Sequence, residues 1–310
     1  MLSERSLRYL GKKLGLEPEL LEHDSIIHEL LSNIAESRYL PSNLLFKGGT
    51  CLVKSYIPYY RFSEDIDFCW SDQSRWFGAS ARETERLCIT EMKQVIVAMS
   101  EICRSLDLSF NPSIKDGEDV FISNSGTKLT LHFNHMSAIS GDEGRVKMEV
   151  NFHDLVLYPV EKRRLQSLLD GLGEDDLSMD PEIERHRTGI DLNCYSLREI
   201  FAEKIRAALT RKQYKIRDSL DLVMMQYTYG LDIFDFEDDA QKKIEFTTRR
   251  FGRYADNLMG PPLPESNWEL KKELILMIAP RPSNLMDDMV VINKHLNQLK
   301  GEMCRKMKIV

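Results

Sequence analysis

Asp65 and Asp67, one residue apart, carry the most chemistry in this chain. They lie in the run Arg61-Phe62-Ser63-Glu64-Asp65-Ile66-Asp67-Phe68, where apolar residues alternate with the acids as in a strand with one buried face. Side chains at i and i+2 of a strand share a face, so the spacing predicts two carboxylates side by side, with Ile66 and Phe68 turned to the core. Carboxylates that close repel each other unless a cation or a shared proton lies between them. Mg2+ (or Mn2+) is the expected partner, since a hard divalent ion takes one or two carboxylates and fills its other positions with water and phosphate oxygens. Shortly upstream stands Lys47-Gly48-Gly49-Thr50. Its glycines can set bare backbone N–H groups at the first turn of a helix expected to begin near Thr50, an end that attracts phosphate. A glycine pair alone, or Asp-x-Asp alone, is a common pattern. In this order the two make up the minimal apparatus for moving a nucleotide from a triphosphate (NTP) substrate.

Other elements must hold that apparatus. A short strand, Leu44 to Phe46, leads into the glycines, and Pro58 closes the helix that follows them. Upstream, the spacing of Leu7, Leu10 and Leu14, and of Leu21, Ile27, Leu31 and Ile34, predicts two helices over residues 1–37. Pro18 suits the first turn of the second. A long helix is expected over 80–106, then short strands near 108–110, 119–122, 128–133 and 146–152. In the last, Val146, Met148, Val150 and Phe152 share one face and Glu149 points to the other. Residues 155–195 read as a linker with one short helix. Helices follow from Tyr195, near 196–212, from 218, and near 237–257, 267–278 and 284–307, broken by Gly260-Pro261-Pro262 and Pro280-Arg281-Pro282. The expected fold class is α+β: a mixed sheet with flanking helices over residues 1–160, and a C-terminal helical domain over 161–310.

Composition sets outer bounds. The chain has 310 residues, enough for two ordinary domains. No apolar run approaches the roughly 20 residues that span a bilayer, and no secretory leader is recognised, so no membrane partner and a cytoplasmic location are expected. The six cysteines form no C-x-x-C pair, which speaks for reduced thiols over a zinc site. A net charge of −7 excludes a bulk nucleic-acid coat, yet Lys204 to Arg217 holds six basic residues and no acidic one.

The run Lys47-Gly-Gly-Thr50…Arg61-Phe-Ser-Glu-Asp-Ile-Asp67 resembles the AbiEii/AbiGii (MenA-type) nucleotidyltransferase family, the toxin halves of bacterial toxin–antitoxin and phage-defence systems. A second block, Glu203-Lys204-Ile-Arg-Ala-Ala-Leu-Thr-Arg211 with Arg217-Asp218-Ser-Leu-Asp221, supports the resemblance. It implies the nucleotidyltransferase-superfamily fold. It implies a nucleotide-transferring toxin that is restrained by a cognate antitoxin and takes as acceptor the 3′ end of tRNA. It further implies that Asp65 and Asp67 hold the metal with Glu149 as third carboxylate, the alternative for Glu149 being a solvent-facing strand residue. Gly48, Gly49 and Thr50 would then cradle phosphate with Lys47 beside them, and Ser63 would bind phosphate or metal. Lys204 would act on the triphosphate, a point charge suited to the leaving pyrophosphate. Asp218 is essential in the family motif, but could equally cap the next helix and pair with Arg211 or Arg217. Asp221 reads as structural. The basic residues near Arg211 are either an RNA contact or a solvated turn.

Overall fold

The computed structural model describes residues 1–173, 176, 181–187, 189–265 and 282–307. The helix expected near 267–278 lies outside them. The chain divides into two compact units. The first comprises residues 1–58, 62–154 and 160–194; the second comprises 59–61, 155–159 and 195–310.

The first unit is built on a seven-stranded sheet. Its strands are β1 (Leu44–Lys47), β2 (Asp65–Trp70), β3 (Val120–Ser123), β4 (Lys128–Met136), β5 (Glu143–Asn151), β6 (Glu161–Leu165) and β7 (Ile190–Cys194), in the order β3-β4-β5-β2-β1-β7-β6. The sheet is mixed: β2 runs parallel to β5 and β1 parallel to β7, while the other neighbours are antiparallel. Period-2 alternation gives each central strand one apolar face. Leu129, Leu131 and Phe133 of β4, and Val146, Met148 and Val150 of β5, are buried, as are Ile66 and Phe68 of β2. Trp70, Trp76 and Phe152 gather at one end of this core, Trp70 stacked on Phe152 at 5.0 Å between ring centres.

The helices of this unit begin and end where the residue types dictate. In α1 (Glu4–Leu14), the Ser3 hydroxyl accepts from the Ser6 N–H, and Gly15 ends the helix at φ 68°. In α2 (Pro18–Glu36), proline opens the first turn, and a largely buried helix lies against β5, β7 and a later helix, α5. The short α3 (Leu40–Asn43) leads into β1, and α4 (Gly48–Ser55) follows β1 directly. That later helix, α5 (Ala81–Ser105), starts at Ser80, whose hydroxyl accepts from the Glu83 N–H. Its buried stripe includes Met92, Val95, Ile96 and Met99.

The expected linker over 155–195 is corrected. It holds two strands and α6 (Pro181–Arg187), so the first unit runs to Cys194 and not to residue 160. β6 sits at the sheet's edge, and its Glu161-Lys-Arg-Arg stretch has the charged composition that protects a free edge. Such a strand looks like a loop when only apolar pattern is read. The strand expected at 108–110 reduces to a single bridge from Ser109 to Asn134.

The second unit is helical over its described residues: α7 (Leu197–Thr210), α8 (Ile216–Tyr229), a 3-10 turn at Ile233–Phe236, α9 (Glu237–Arg250), α10 (Gly252–Leu258) and α11 (Leu285–Lys306). α7 packs against α8, α9, α10 and α11. Half of a capping box forms at its start. Ser196 accepts from the Glu199 N–H. The buried Glu199 carboxylate instead accepts from the N–H groups of Leu157 and Tyr158, at 2.8 Å each, and pairs with Lys243 at 2.5 Å. A Ser219–Asn293 hydrogen bond of 2.6 Å fastens α8 to α11.

Candidate active site

Each unit carries one charged constellation. The first is set by strand register. β2 and β5 pair in parallel, with Asp65 opposite Lys147 and Asp67 opposite Glu149. All four side chains therefore stand on the half-exposed face of the sheet, while Ile66 and Met148 between them face the core. This is the face on which β4 presents Lys128, Thr130 and His132. The resemblance to nucleotidyltransferases alone had suggested Glu149; the register now makes it the immediate neighbour of Asp67.

The charges there are unevenly settled. Lys128 Nζ lies 2.7 Å from one Glu149 oxygen. Lys147 Nζ lies 3.3 Å from the other and 3.1 Å from an Asp65 oxygen. Burial works against the Glu149 charge, but Lys128 and then Lys147 outweigh it and hold its pKa below the ordinary value. Asp67 goes the other way. Burial first, then the Glu149 and Asp65 charges, raise its pKa, only partly offset by Lys47 and Lys147.

The glycine segment packs directly against this group. Gly48 has φ +79°, and a Cβ built on it would lie 2.4 Å from Asp67 Oδ2. Only glycine permits both that backbone and that approach. Helix α4 begins at Gly48 itself rather than near Thr50, so both glycines form its first turn. The buried Thr50 turns its hydroxyl inward to donate to the Asp65 carbonyl, which ties α4 to β2. Lys47, opposite Asp67 in the β1–β2 register, pairs with Asp154 at 2.6 Å. Ser63 is half-buried just ahead of β2. Thus Asp65, Asp67, Glu149, Lys47, Gly48 and Gly49 share one region, with Thr50 as an internal fastening.

These residues fit a divalent ion by donor chemistry. Three carboxylates share one face, one of them held back from ionisation by burial first and by the other two next, and a lysine pairs with two of them where a cation would. As the side chains stand, no group of three His, Cys, Asp or Glu among the described residues is gathered to hold a metal ion. Asp65 and Glu149 are engaged by lysine instead.

The second constellation centres on Asp221 of α8, fully buried. It accepts from Arg61 Nε at 2.7 Å and Nη2 at 2.8 Å, from the Tyr60 hydroxyl, and from Lys204 Nζ at 2.6 Å. Burial opposes its charge, but Arg61 and then Lys204 hold its pKa well below the ordinary carboxylate range. The structural role expected for Asp221 is thereby specified: it anchors residues 59–61 to α8. Lys204 of α7 also reaches Asp218 at 3.0 Å, and Asp218 pairs with Arg211 at 2.8 Å. Burial would discharge Lys204, but Asp221 and Asp218 keep it protonated. Asp218 is the third residue of α8 and does not cap it. Lys215 holds that position, and no side chain bonds there.

Lys147, Lys128 and Arg61 were not singled out from sequence. Lys147 was within reach, since it lies two residues before Glu149 and must share its face. Arg61 gave no such signal, because its partner lies 160 residues away.

No helix among the described residues is long and apolar enough to cross a membrane. A family model described as "Nucleotidyl transferase AbiEii toxin, Type IV TA system" matches residues 29–296. Among solved structures, JHP933 from Helicobacter pylori is similar at 14% identity, covering 95% of this chain and 98% of that one, with a TM-score of 0.46. A putative nucleotidyltransferase from H. pylori is similar at 14% identity over 93% and 99%, with a TM-score of 0.44. Comparison with curated proteins gave no match.

Proposed function

The chain belongs to the AbiEii nucleotidyl transferase toxin family, and we propose that it moves a nucleotide from a nucleoside triphosphate to an acceptor hydroxyl at the Asp65, Asp67 and Glu149 face of its sheet. The observation that carries this reading is the pairing of Asp67 with Glu149 across β2 and β5, with Gly48 closed down on Asp67. Asp65, Asp67 and Glu149 would hold Mg2+ or Mn2+. When bound, that ion would neutralise charge at the phosphates and lower the pKa of a coordinated hydroxyl. Gly48 and Gly49 bring the N–H groups of the α4 first turn beside the carboxylates, which suits them to phosphate oxygens. Thr50 holds that turn to β2, and Lys47 adds positive charge near Asp67. Ser63, just before β2, is a further phosphate or metal contact in this proposal.

Lys204 and Asp218 belong to the proposal as a charged lysine and the carboxylate that orients it. A protonated amine is the group that would neutralise a leaving pyrophosphate. The family's toxin–antitoxin context supports a cognate antitoxin as partner. The 3′ end of tRNA as acceptor, with arrested translation as the result, completes the proposal.

The test is incubation with each α-labelled nucleoside triphosphate, Mg2+ and total RNA, followed by sizing of the product. Label in a tRNA-sized band, lost with chelator and in Asp65→Ala, is the expected result. Label that enters protein, or that appears only from γ-labelled nucleotide, would replace this reading with a protein-modifying or kinase-like one.

A further inference from the structure

Lys147 occupies ground that a divalent ion needs. Its ammonium lies 3.1 Å from Asp65 Oδ2 and 3.3 Å from Glu149 Oε1, two of the three carboxylates placed in the metal site above. A Mg2+ ion sits about 2.1 Å from each oxygen it binds. An ion that bridged these two oxygens from the side Lys147 holds would fall closer to the ammonium than two positive groups tolerate, so on that side the two compete. Lys128 is placed differently: it pairs with the other Glu149 oxygen, at 2.7 Å. The Lys147 stem is rooted on β5 opposite Asp65, and its side chain is 34% exposed, so its head can leave the carboxylates without disturbing the strand.

We infer that Lys147 is a positioning residue, a resident counterion that exchanges with the divalent cation and so couples metal binding to triphosphate binding. The inference rests on the function proposed above. Without nucleotide, Lys147 neutralises Asp65 and Glu149, and a metal must displace it. With nucleotide, the phosphate oxygens offer the ammonium a second partner within the reach of its stem, and the carboxylates are released to the metal. No bond is made or broken in this exchange. It gives the site low affinity for metal alone and higher affinity for metal together with triphosphate, and the linkage is reciprocal.

The test is Mn2+ binding to the full-length protein, followed by the loss of the free Mn2+ paramagnetic signal. It is run with and without the α,β-methylene analogues of the four nucleoside triphosphates. Wild type is expected to bind Mn2+ weakly alone and several-fold tighter with analogue. Lys147→Met removes two half-exposed ion pairs, so its affinity for Mn2+ alone is expected to rise by about threefold to about thirtyfold, and the added effect of analogue to shrink. Lys147→Gln should behave like Lys147→Met, and Lys147→Arg like wild type; melting curves confirm that each is folded. Unchanged Mn2+ affinity in both neutral variants, or an undiminished analogue effect, overturns the inference. If wild type nonetheless binds Mn2+ and transfers label, the proposed function stands without it. A wild type that binds no Mn2+ in any condition sinks both.

Discussion

Asp67 and Glu149 are direct partners across the parallel β2–β5 pair, and the pKa of the first is raised while that of the second is lowered. Burial disfavours both charges; Lys128 and Lys147 outweigh it at Glu149, whereas at Asp67 the two neighbouring carboxylates add to it more than Lys47 and Lys147 take away. A charge that its own fold disfavours accords with the metal-binding role proposed for Asp67.

Replacing Asp67 by Asn should therefore separate activity from stability. Nucleotide incorporation is expected to fall at least about a hundredfold, since even residues one layer behind a metal commonly cost tenfold to a hundredfold. The melting temperature should hold or rise, because a repelled carboxylate has been neutralised. Incorporation assays and thermal melts on the same preparation check both.

Gly48→Ala should cost both. The φ of +79° disfavours any side chain, by about 1–3 kcal/mol. The new methyl would also drive the Asp67 carboxylate from its place. A melting temperature lowered by a few degrees, with incorporation lost, is the expected pair of results. Gly15→Ala, at a similar φ but with open space around it, should lose stability alone.

The Asp221 cluster sets an acid limit on the second unit. Its folded pKa is depressed below the ordinary 3.8, so it contributes stability above that pH and loses it as pH falls through the folded value. Stability should drop steeply below about pH 4. Asp221→Asn should flatten that slope and cost about 3–5 kcal/mol near neutrality, because Arg61 and Lys204 lose their buried partner. Denaturant titrations across pH measure both.

Lys204→Ala should leave the fold largely in place, since Arg61 still holds Asp221 and Arg211 still holds Asp218. Incorporation is expected to fall by about a hundredfold or more, as when another group that stabilises developing charge is removed. Normal incorporation in a folded Lys204→Ala protein would make this lysine purely structural.

Much of this was legible in the sequence, and the reason is locality. The i, i+2 rule placed Asp65 with Asp67 and set Glu149 on the polar side of β5. Apolar periodicity located α1 and α2, with Pro18 at the start of the second, and a long helix was expected where α5 stands. What escaped was fixed by partners far along the chain. β6 is charged because it is an edge, and β7, though Ile190, Leu192 and Cys194 alternate as a strand should, shows its role only beside β1. The Lys147 bridge depends on the β2–β5 register. Thr50, expected at the phosphate, donates its hydroxyl to the Asp65 carbonyl, and the structural role expected for Asp221 takes its form from Tyr60 and Arg61, far back in the chain.

The three residues Tyr59–Arg61 count with the second unit although the chain on either side of them belongs to the first. Arg61 meets its carboxylate only when Asp221 exists, 160 positions later. During synthesis, β2 and Arg61 leave the ribosome well before the Asp221 carboxylate of α8 has emerged. Neither unit is a continuous piece of polypeptide, so a gene cut after Cys194 would part Tyr60 and Arg61 from Asp221, which would keep only Lys204 of the partners named above.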